Sequence, residues 1–355
     1  MSEGTESVSV SPGRGIVMSS RVRLARNVQG KPFPGWLKKK DREELLGVLQ
    51  PAVMLLPEMR EPFLAQAMDT FSPLDKQMLV EEHLISREHA AKNSGSGLVV
   101  SADKRLSVMI NEEDHLRLQA IFSDFRPEEA WRAIDRIDSE LEDTLNFAFS
   151  PALGYLTACP TNVGTGMRAS VMLHLPGLVL SEQINQVIKS VNQIGLAVRG
   201  LYGEGTEALG NLFQVSNQMT LGESERDILN RLQKVVQHLI EHEHNARQKI
   251  FQDKGRVVAD QLGRAYGVIS HAYSISSKEA LNLLSLLILG IDLGLWSAGL
   301  REKIDDLFIH TQPAHLQQEA GKKLNAEDRD AVRADLLREK LKSMPAPNIK
   351  KLRNI

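Results

Sequence analysis

Hydrophobic and polar positions alternate along residues 16–27, IVMSSRVRLARN, as they do in a β-strand with two different faces. Because side chains along a strand point to opposite faces in turn, Arg21 and Arg23 are expected on the same face. Residues 97–114, GLVVSADKRLSVMINEED, predict a hairpin joined through Ala102-Asp103-Lys104. Four other short apolar runs, each bounded by turn-forming residues, predict strands: GYLTACP, ASVMLHLP, GLAVRGLYG and LFQVSNQMT.

Other segments repeat their apolar residues every three to four positions, which predicts helices. They are residues 38–49, 74–84, 127–147 and 178–194, and from Ser224 onward the pattern stays helical to the end of the chain. The simplest account is an α+β domain followed by an all-helical C-terminal domain. We expect a flexible arm at residues 1–15, the mixed domain at residues 16–250 and the helical domain at residues 251–355.

Composition restricts the class of protein. A 355-residue chain with 42% hydrophobic and 25% charged residues is globular, and its net charge of −2 argues against a general nucleic-acid binder. A single cysteine, Cys159, cannot form an internal disulfide, and no apolar signal segment opens the chain, so we expect a cytoplasmic protein. The most apolar run, ALNLLSLLILGIDLGLW, contains Asn282, Ser285 and Asp292, which predicts a buried helix instead of a membrane span.

Charge is concentrated after the hairpin, where Glu112, Glu113 and Asp114 are followed by Arg117. An acidic helix start would explain the carboxylates alone, because they interact favourably with the positive end of a helix dipole. Two other segments also combine charge with turn-forming residues: ACPTNVGTGMRAS and RGLYGEGTEALG. The sequence has neither a P-loop nor the H-R-D and D-F-G motifs of kinases, so arginines are the candidate phosphate ligands.

Four segments in this order, SSRVRLARN, NEEDHLR, CPTNVGTGMRASV and RGLYGEGTEALG, resemble the motifs of the ATP:guanidino phosphotransferases, or phosphagen kinases. The resemblance implies a catalytic domain built on an antiparallel sheet flanked by helices, with ATP and Mg²⁺ as cofactors. Two departures from the phosphagen-kinase pattern narrow the class of protein that the resemblance implies. The small helical domain that precedes the S-x-R-V-R strand in phosphagen kinases, and helps to clamp a free guanidino substrate, is missing. The helical C-terminal domain carries RDAVRA, which resembles a motif of bacterial protein arginine kinases.

The resemblance implies three catalytic side chains. Glu113 would orient a guanidinium and act as its base, Glu204 would be a second carboxylate, and the Cys159 thiolate would help to position the substrate. Such carboxylates suit the chemistry, because a guanidinium is a weak nucleophile that must be held and deprotonated. Glu207 is an alternative to Glu204, and Cys159 has the alternative of an ordinary buried thiol. No side chain is assigned to a metal, since Mg²⁺ would bridge phosphate oxygens.

For the nucleotide, the resemblance implies a cradle of arginines: Arg21, Arg23, Arg117, Arg168 and Arg199. A histidine would contact adenine, and His83 matches it, with His89 as the nearby alternative. The other residues implied for the nucleotide site are Ser19, Ser20, Val22, Ala169, Ser170, Val171, Met172, Gly200, Leu201, Tyr202 and Gly203.

In the helical domain, the resemblance implies an allosteric phosphoarginine pocket formed by Arg329, Asp330, Arg333 and Ala334. A salt-bridged helix face would explain the same charges.

The implied reaction is phosphorylation of arginine side chains in proteins, in stress response and in quality control by Clp proteases. Implied partners are a heat-shock repressor and misfolded proteins as substrates, an McsA-like activator, a Clp ATPase and a second copy of the chain, with no nucleic acid or membrane. The alternatives are a small-molecule guanidino kinase and a phosphoarginine-binding adaptor.

Overall fold

An antiparallel sheet of eight strands is the centre of the computed structural model, which describes residues 15–201 and 208–348. The strands are β1 (Val17–Arg26), β2 (Leu64–Ala67), β3 (Gly97–Val100), β4 (Leu106–Ile110), β5 (Leu116–Ser123), β6 (Phe149–Ser150), β7 (Gly154–Tyr155), β8 (Met167–His174), β9 (Leu196–Gly200) and β10 (Leu212–Asn217). Their order in the large sheet is β2-β3-β4-β5-β1-β8-β10-β9, while β6 and β7 form a separate pair. Strand β1 therefore lies between β5 and β8, near the centre of the sheet.

Helices surround this sheet and form the C-terminal part of the described chain. They are α1 (Lys39–Met54), α2 (Pro73–Glu81), α3 (Arg87–Ala90), α4 (Pro127–Glu142), α5 (Pro176–Leu180), α6 (Ile184–Gln193), α7 (Glu225–His271), α8 (Ser277–Asp292), α9 (Arg301–His310), α10 (Pro313–Ala320) and α11 (Ala326–Lys340). Short 3₁₀ turns occur at Pro57–Met59, Met68–Thr70, Pro160–Asn162, Leu209–Asn211 and Ala298–Leu300. The predicted α+β class with a helical C-terminal region is confirmed.

The two faces of the sheet differ in polarity, as the alternation in β1 predicts. Val22 and Leu24 are fully buried on an apolar face, where they share one hydrophobic core with residues of β5, β8 and β10. Helix α4 and the first half of α7 cover this face. Arg21 and Arg23 alternate with these residues and therefore lie on the opposite face.

Helix α7 connects the sheet to the helical region. Its backbone departs from helical geometry at Lys254, where φ is −131° and ψ is 30°. Before this kink, Ile228 and Leu239 pack into the sheet core, and after it Leu262 and Ile269 pack into a second core with α8, α9 and α11. The boundary expected between residues 250 and 251 falls within this helix and stays a prediction.

The apolar run around Leu284 forms the buried helix α8, as predicted. Its side chains contribute to the core that is shared with α7 and α9. No helix within residues 15–201 and 208–348 is both long and apolar enough to span a membrane.

Three predictions of local structure were wrong. GYLTACP forms only the two-residue strand β7, and Pro160, which has no backbone N–H for a sheet, opens a 3₁₀ turn. The helix predicted over residues 178–194 is interrupted at Glu182, whose φ of 61° is left-handed. The helix that begins at Pro127 ends at Glu142, before Phe147, which forms a β-bridge with Val28 instead.

A buried ion pair joins the end of β1 to α4. Arg26 is 1% exposed, and its Nε and Nη2 donate to Asp138 Oδ2 at 3.2 and 2.6 Å. Its guanidinium also lies 3.6 Å from the centre of the Tyr155 ring. Removal of either charge would leave the other one buried without compensation, so the pair fixes this end of β1 to α4, the helix that covers the apolar face.

Candidate active site

Two adjoining clefts open on the polar face of the sheet. The first has a volume of about 400 Å³, and its walls include Ser19, His83 and Met172. The second has a volume of about 300 Å³ and contains Glu113 and Cys159, together with all five of the arginines singled out in the sequence. Arg21 and Gln214 border both clefts, so the two form one continuous groove, in which the first cleft has a mixed apolar and charged lining and the second is strongly cationic.

Sheet register brings the arginines together. Arg23 on β1 pairs with Arg168 on β8, and Arg117 on β5 pairs with Ala25 on β1, two positions from Arg23. Arg199 on β9 pairs with Gln214 on β10, which accepts a 2.6 Å hydrogen bond from Arg21 Nη2. Three adjacent strands, β5, β1 and β8, and the edge strand β9 therefore bring their guanidinium groups to one cleft, while β10 contributes Gln214.

The arginine cluster is electrostatically unfavourable by itself. Burial, together with repulsion from Arg117 and Arg168, lowers the pKa of Arg21 to about 10. Burial and repulsion from the neighbouring guanidinium groups lower the pKa of Arg23 as well. The buried Nε of Arg23 has no hydrogen-bond partner among the residues that the structure describes. Unpaired cationic donors in a cleft are suited to a polyanion, and guanidinium groups match phosphate oxygens in geometry.

The three adjacent carboxylates have different surroundings. Glu112 is 2% exposed and accepts hydrogen bonds from Arg117 Nη1 at 2.6 and 2.7 Å and from the Ser86 hydroxyl. Burial opposes the ionisation of Glu112, but Arg117 and Ser86 outweigh it and lower the pKa of the carboxyl. Glu112 therefore holds Arg117 in place, and its side chain does not border the second cleft.

Glu113, in contrast, is exposed and borders the second cleft. Partial burial and repulsion from Asp114 and Glu112 raise the pKa of Glu113, which makes its carboxylate a stronger base. Asp114 Oδ1 accepts hydrogen bonds from Asn27 Nδ2 and from the backbone N–H of Ala158, both at 2.7 Å. Asp114 thus joins the acidic loop, residues 112–114, to the segment that carries Cys159.

The Cys159 segment lies across the cationic cleft. Its thiol is half-buried and lies 3.0 Å from Thr161 Oγ1, immediately before the 3₁₀ turn Pro160–Asn162. Gly166 closes the segment against β1 with a φ of 65°, and a Cβ there would lie only 2.6 Å from Ala25 O. Glycine is therefore required for the close approach that brings Cys159 to the mouth of the cleft.

The Gly-rich segment is described only at its two ends. Arg199 and Leu201 border the second and the first cleft, respectively, and Gly200 lies between them. Tyr202, Gly203, Glu204 and the alternative Glu207 lie outside the described residues. Downstream, the backbone N–H of Gly210 donates to Asn282 Oδ1 of α8 at 2.9 Å, so the helical region holds this end of the segment.

Of the two candidate histidines, only His83 borders the first cleft. Burial lowers its pKa to about 4, so the imidazole is neutral at physiological pH. His89 is fully buried inside the fold, with Nε2 2.9 Å from Gly97 O. The structure thus places His83, and not His89, where a flat apolar group would enter the groove.

Several strand residues implied for nucleotide binding do not face the groove. Ser19, Ser170 and Met172 border the first cleft. Val22, Ala169 and Val171 are fully buried in the apolar core on the opposite face, and the Ser20 hydroxyl donates to Asp124 O at 2.8 Å. Since side chains alternate along a strand, the side chains of these four residues lie on the opposite face of the sheet and do not line the groove.

The RDAVRA segment lies on α11, in the helical region. Arg333 is 1% exposed, and its guanidinium donates to Thr311 O, Ile275 O, Asp330 Oδ1 and Ser277 Oγ at 2.5 to 2.8 Å. Ala334 is fully buried, whereas Arg329 and Asp330 are partly exposed. Arg333 thus links α11 to the start of α8 and the end of α9, and the phosphoarginine pocket stays a prediction.

Sequence reasoning missed residues that shape the groove. Gln214 spans the two clefts, Ser86 and Asn27 hold the acidic loop, and α9 adds a wall to the first cleft. No local pattern identifies these residues, because each acts through a partner that is distant in the sequence.

Comparison with known proteins agrees with this geometry. The family model described as "ATP:guanido phosphotransferase, C-terminal catalytic domain" matches residues 52–246. The chain is also similar to the substrate-free duplicated taurocyamine kinase from Schistosoma mansoni, with a TM-score of 0.59 and 27% identity over 78% of this chain and 41% of that chain. It thus spans about two fifths of that protein's length. A lombricine kinase matches with a TM-score of 0.57 and 25% identity, over 66% of this chain and 69% of that chain. Fold and site define an ATP:guanido phosphotransferase.

The C-terminal region narrows the class. Residues 255–352 match the family model described as "Protein-arginine kinase McsB C-terminal domain". The protein-arginine kinase of Halothermothrix orenii is 44% identical over 330 residues, which cover 93% of this chain and 94% of the relative. The protein-arginine kinase of Bacillus licheniformis is 46% identical over 333 residues, covering 93% and 91%. The chain belongs to the protein-arginine kinase family, as its motifs predicted.

Proposed function

We propose that this protein transfers the γ-phosphoryl group of ATP to arginine side chains of other proteins. The observation that carries the proposal is the second cleft, where five arginines share one space with Glu113 and Cys159. A cluster of cations matches a polyphosphate, while a free carboxylate at its edge matches a guanidinium.

In this proposal ATP lies along the whole groove. Its adenine occupies the first cleft beside the neutral His83, and its phosphates lie over Arg21, Arg23 and the other arginines of the second cleft. The unpaired Nε of Arg23 would then gain a phosphate acceptor. The fixed guanidinium groups stabilise the charge on the transferring group without having to reorganise.

The substrate guanidinium enters at the Glu113 edge. Glu113 accepts the proton of the attacking nitrogen as the N–P bond forms, and the bond from the γ-phosphorus to the β,γ-bridging oxygen breaks to release ADP. Cys159 helps to position the guanidinium, and Glu204 supplies the second carboxylate. Glu112 takes no proton, because its buried carboxylate is paired with Arg117 and does not border the second cleft.

Mg²⁺ would enter as the ATP complex, bound by phosphate oxygens and water. Within residues 15–201 and 208–348, no group of three or more His, Cys, Asp or Glu side chains is placed to hold a metal ion. The ion would supply charge neutralisation on the β- and γ-phosphates, beside the arginines.

The proposed biological setting is stress response and protein quality control in the cytoplasm. Its substrates would include a heat-shock repressor and misfolded proteins, which would pass to a Clp ATPase and its protease. An McsA-like activator and a second copy of the chain are the proposed partners. Phosphoarginine would bind at Arg329, Asp330, Arg333 and Ala334 and regulate the enzyme. Family membership supports these proposals.

The test is a phosphorylation assay with Mg²⁺ and ATP, in which an unfolded arginine-rich protein competes with free arginine. Products are analysed by mass spectrometry under conditions that preserve the acid-labile P–N bond. We expect phosphoarginine in the protein, and Glu113→Gln should lower kcat by about 10²- to 10⁴-fold. The matched control is Glu241→Gln on the exposed side of α7, which should keep wild-type activity.

Each other result points to a different function. Turnover of free arginine alone would identify a small-molecule guanidino kinase. Binding of phosphoarginine without transfer to any acceptor would identify an adaptor. Full activity of Glu113→Gln would refute the assignment of the base.

A further inference from the structure

The helical region forms part of the wall of the first cleft. Asp305, Phe308 and Ile309 of α9 border this cleft, as do His83 and Met18. The sequence motifs assign the nucleotide site to the catalytic domain alone. Here, a helix that lies beyond the kink at Lys254 faces the same space.

Arg301 fixes Asp305 in this wall. Its Nε donates to both carboxylate oxygens of Asp305 at 2.9 Å, and its Nη2 lies 3.2 Å from the sulfur of Met18 on β1. A carboxylate has about four lone-pair positions, so these two contacts leave further positions able to accept hydrogen bonds. Asp305 is therefore a rigidly held acceptor at the border of the cleft.

The position of Asp305 along the groove indicates which part of a nucleotide it would meet. Met18 precedes Arg21 and Arg23 on β1, so the Met18 end of the first cleft is the end remote from the arginine cluster. A carboxylate would repel phosphate, but it is a good acceptor for the hydroxyl groups of a ribose. Phe308 and Ile309 add apolar surface beside it.

We propose that Asp305 accepts a hydrogen bond from a ribose hydroxyl of the bound nucleotide, while Phe308 and Ile309 pack against its base. This inference rests on the proposed function, since it requires the nucleotide to occupy the first cleft. It assigns the helical region a direct part in nucleotide binding and a preference for ribonucleotides over deoxyribonucleotides.

The experiment compares the affinities of ADP, 2′-deoxy-ADP and 3′-deoxy-ADP for the full chain by calorimetric titration with Mg²⁺ at pH 8. Burial raises the pKa of Asp305 to about 6 against the opposing effect of Arg301, so its carboxylate is ionised at this pH. Wild-type protein should bind ADP about tenfold more tightly than the analogue without the contacted hydroxyl, the size expected for a hydrogen bond to a charged group. In Asp305→Ala this ratio should fall to about one.

Three further variants separate binding from folding. Asp306→Ala removes an exposed carboxylate next in the chain and should keep the wild-type ratio. Asp305→Asn retains an acceptor for Arg301 and should give an intermediate ratio even if Asp305→Ala is destabilised. Ile309→Ala should weaken all three nucleotides by a similar factor, because it alters the surface for the base and leaves the hydroxyl contact intact.

The inference is overturned if Asp305→Ala keeps the wild-type ratio, or if wild-type protein does not distinguish the three nucleotides. Absence of all nucleotide binding would overturn both this inference and the proposed function. Loss of the ratio in Asp305→Ala, in a protein that phosphorylates no acceptor, would support the inference while refuting the proposed kinase activity.

Discussion

The contact between α2 and α10 should make stability depend on pH above neutrality. Glu81 of α2 accepts hydrogen bonds from the backbone N–H groups of Ala314 and His315 at 2.8 and 3.2 Å, and lies 2.7 Å from His315 Nδ1. The other ring nitrogen of His315 lies 3.7 Å from Glu82, which is also paired with Lys104. A protonated imidazole therefore joins the helical region to the edge of the first cleft.

The sign and the magnitude of this pH dependence of stability follow from the pKa of His315. The hydrogen bond to Glu81 and the nearby carboxylate of Glu82 raise this pKa from 6.5 to about 9 in the folded chain. The resulting stabilisation is fully present below pH 6.5, and it is lost as pH rises through about 9. The difference between the folded and the unfolded pKa sets a ceiling of roughly 3 kcal/mol, and solvent screening around the partly exposed Glu82 reduces the contribution to about 1–2 kcal/mol.

The assay measures chemical denaturation of wild-type protein and His315→Asn at several pH values from 6.5 to 9.5. Asn places a neutral donor near the position of Nδ1, so the variant keeps a hydrogen bond to Glu81 but has no titrating charge. The difference in unfolding free energy between the two proteins should fall by about 1–2 kcal/mol over this range. The control is His310→Asn, since His310 is exposed and its ring lies 5.8 Å from the ring of His315 in an edge-to-face arrangement. A difference for His315→Asn that stays constant with pH would refute the reasoning.

Two further predictions concern the sheet and its acidic loop. Arg26→Ala should lower the unfolding free energy by about 3–5 kcal/mol in chemical denaturation, because its carboxylate partner stays buried, whereas the exposed Arg132→Ala should change it by less than about 0.5 kcal/mol. The pH profile of kcat/KM should fall on the acidic side as Glu113 takes up a proton, and its raised pKa sets this limb above pH 4.5. Glu112→Gln should move the limb to lower pH, since it removes a like charge and leaves the charge of Arg117 uncompensated; an unmoved limb would contradict this.

Most individual strands of the sheet could be predicted from the sequence, but their order and register could not. Alternation in β1 is a local property, so it correctly places Arg21 and Arg23 on one face. The pairing of Arg23 with Arg168 depends on strand order and register, and partners that are 145 positions apart leave no local signal. The family motifs supplied the missing information, because they mark which distant segments belong to one site.

Local sequence patterns do not distinguish the three carboxylates of the acidic loop. Sequence placed Glu112, Glu113 and Asp114 together but could not separate their roles. Their differences arise from tertiary partners: Arg117 and Ser86 for Glu112, Asn27 and the Ala158 backbone for Asp114, and solvent for Glu113. Three adjacent carboxylates therefore perform three different tasks.

Contacts within the helical region connect the predicted phosphoarginine motif to the walls of the first cleft, where the nucleotide is proposed to bind. Arg333 donates to Thr311 O at the end of α9, the helix that carries Asp305 into the first cleft. The next helix, α10, binds Glu81, two residues before His83 on another wall of that cleft. A ligand that displaces Arg333 would therefore act on both walls together, and nucleotide affinity would change more directly than the chemistry at Glu113. Because coupling between two binding sites is reciprocal, bound nucleotide would alter affinity at the motif by the same factor.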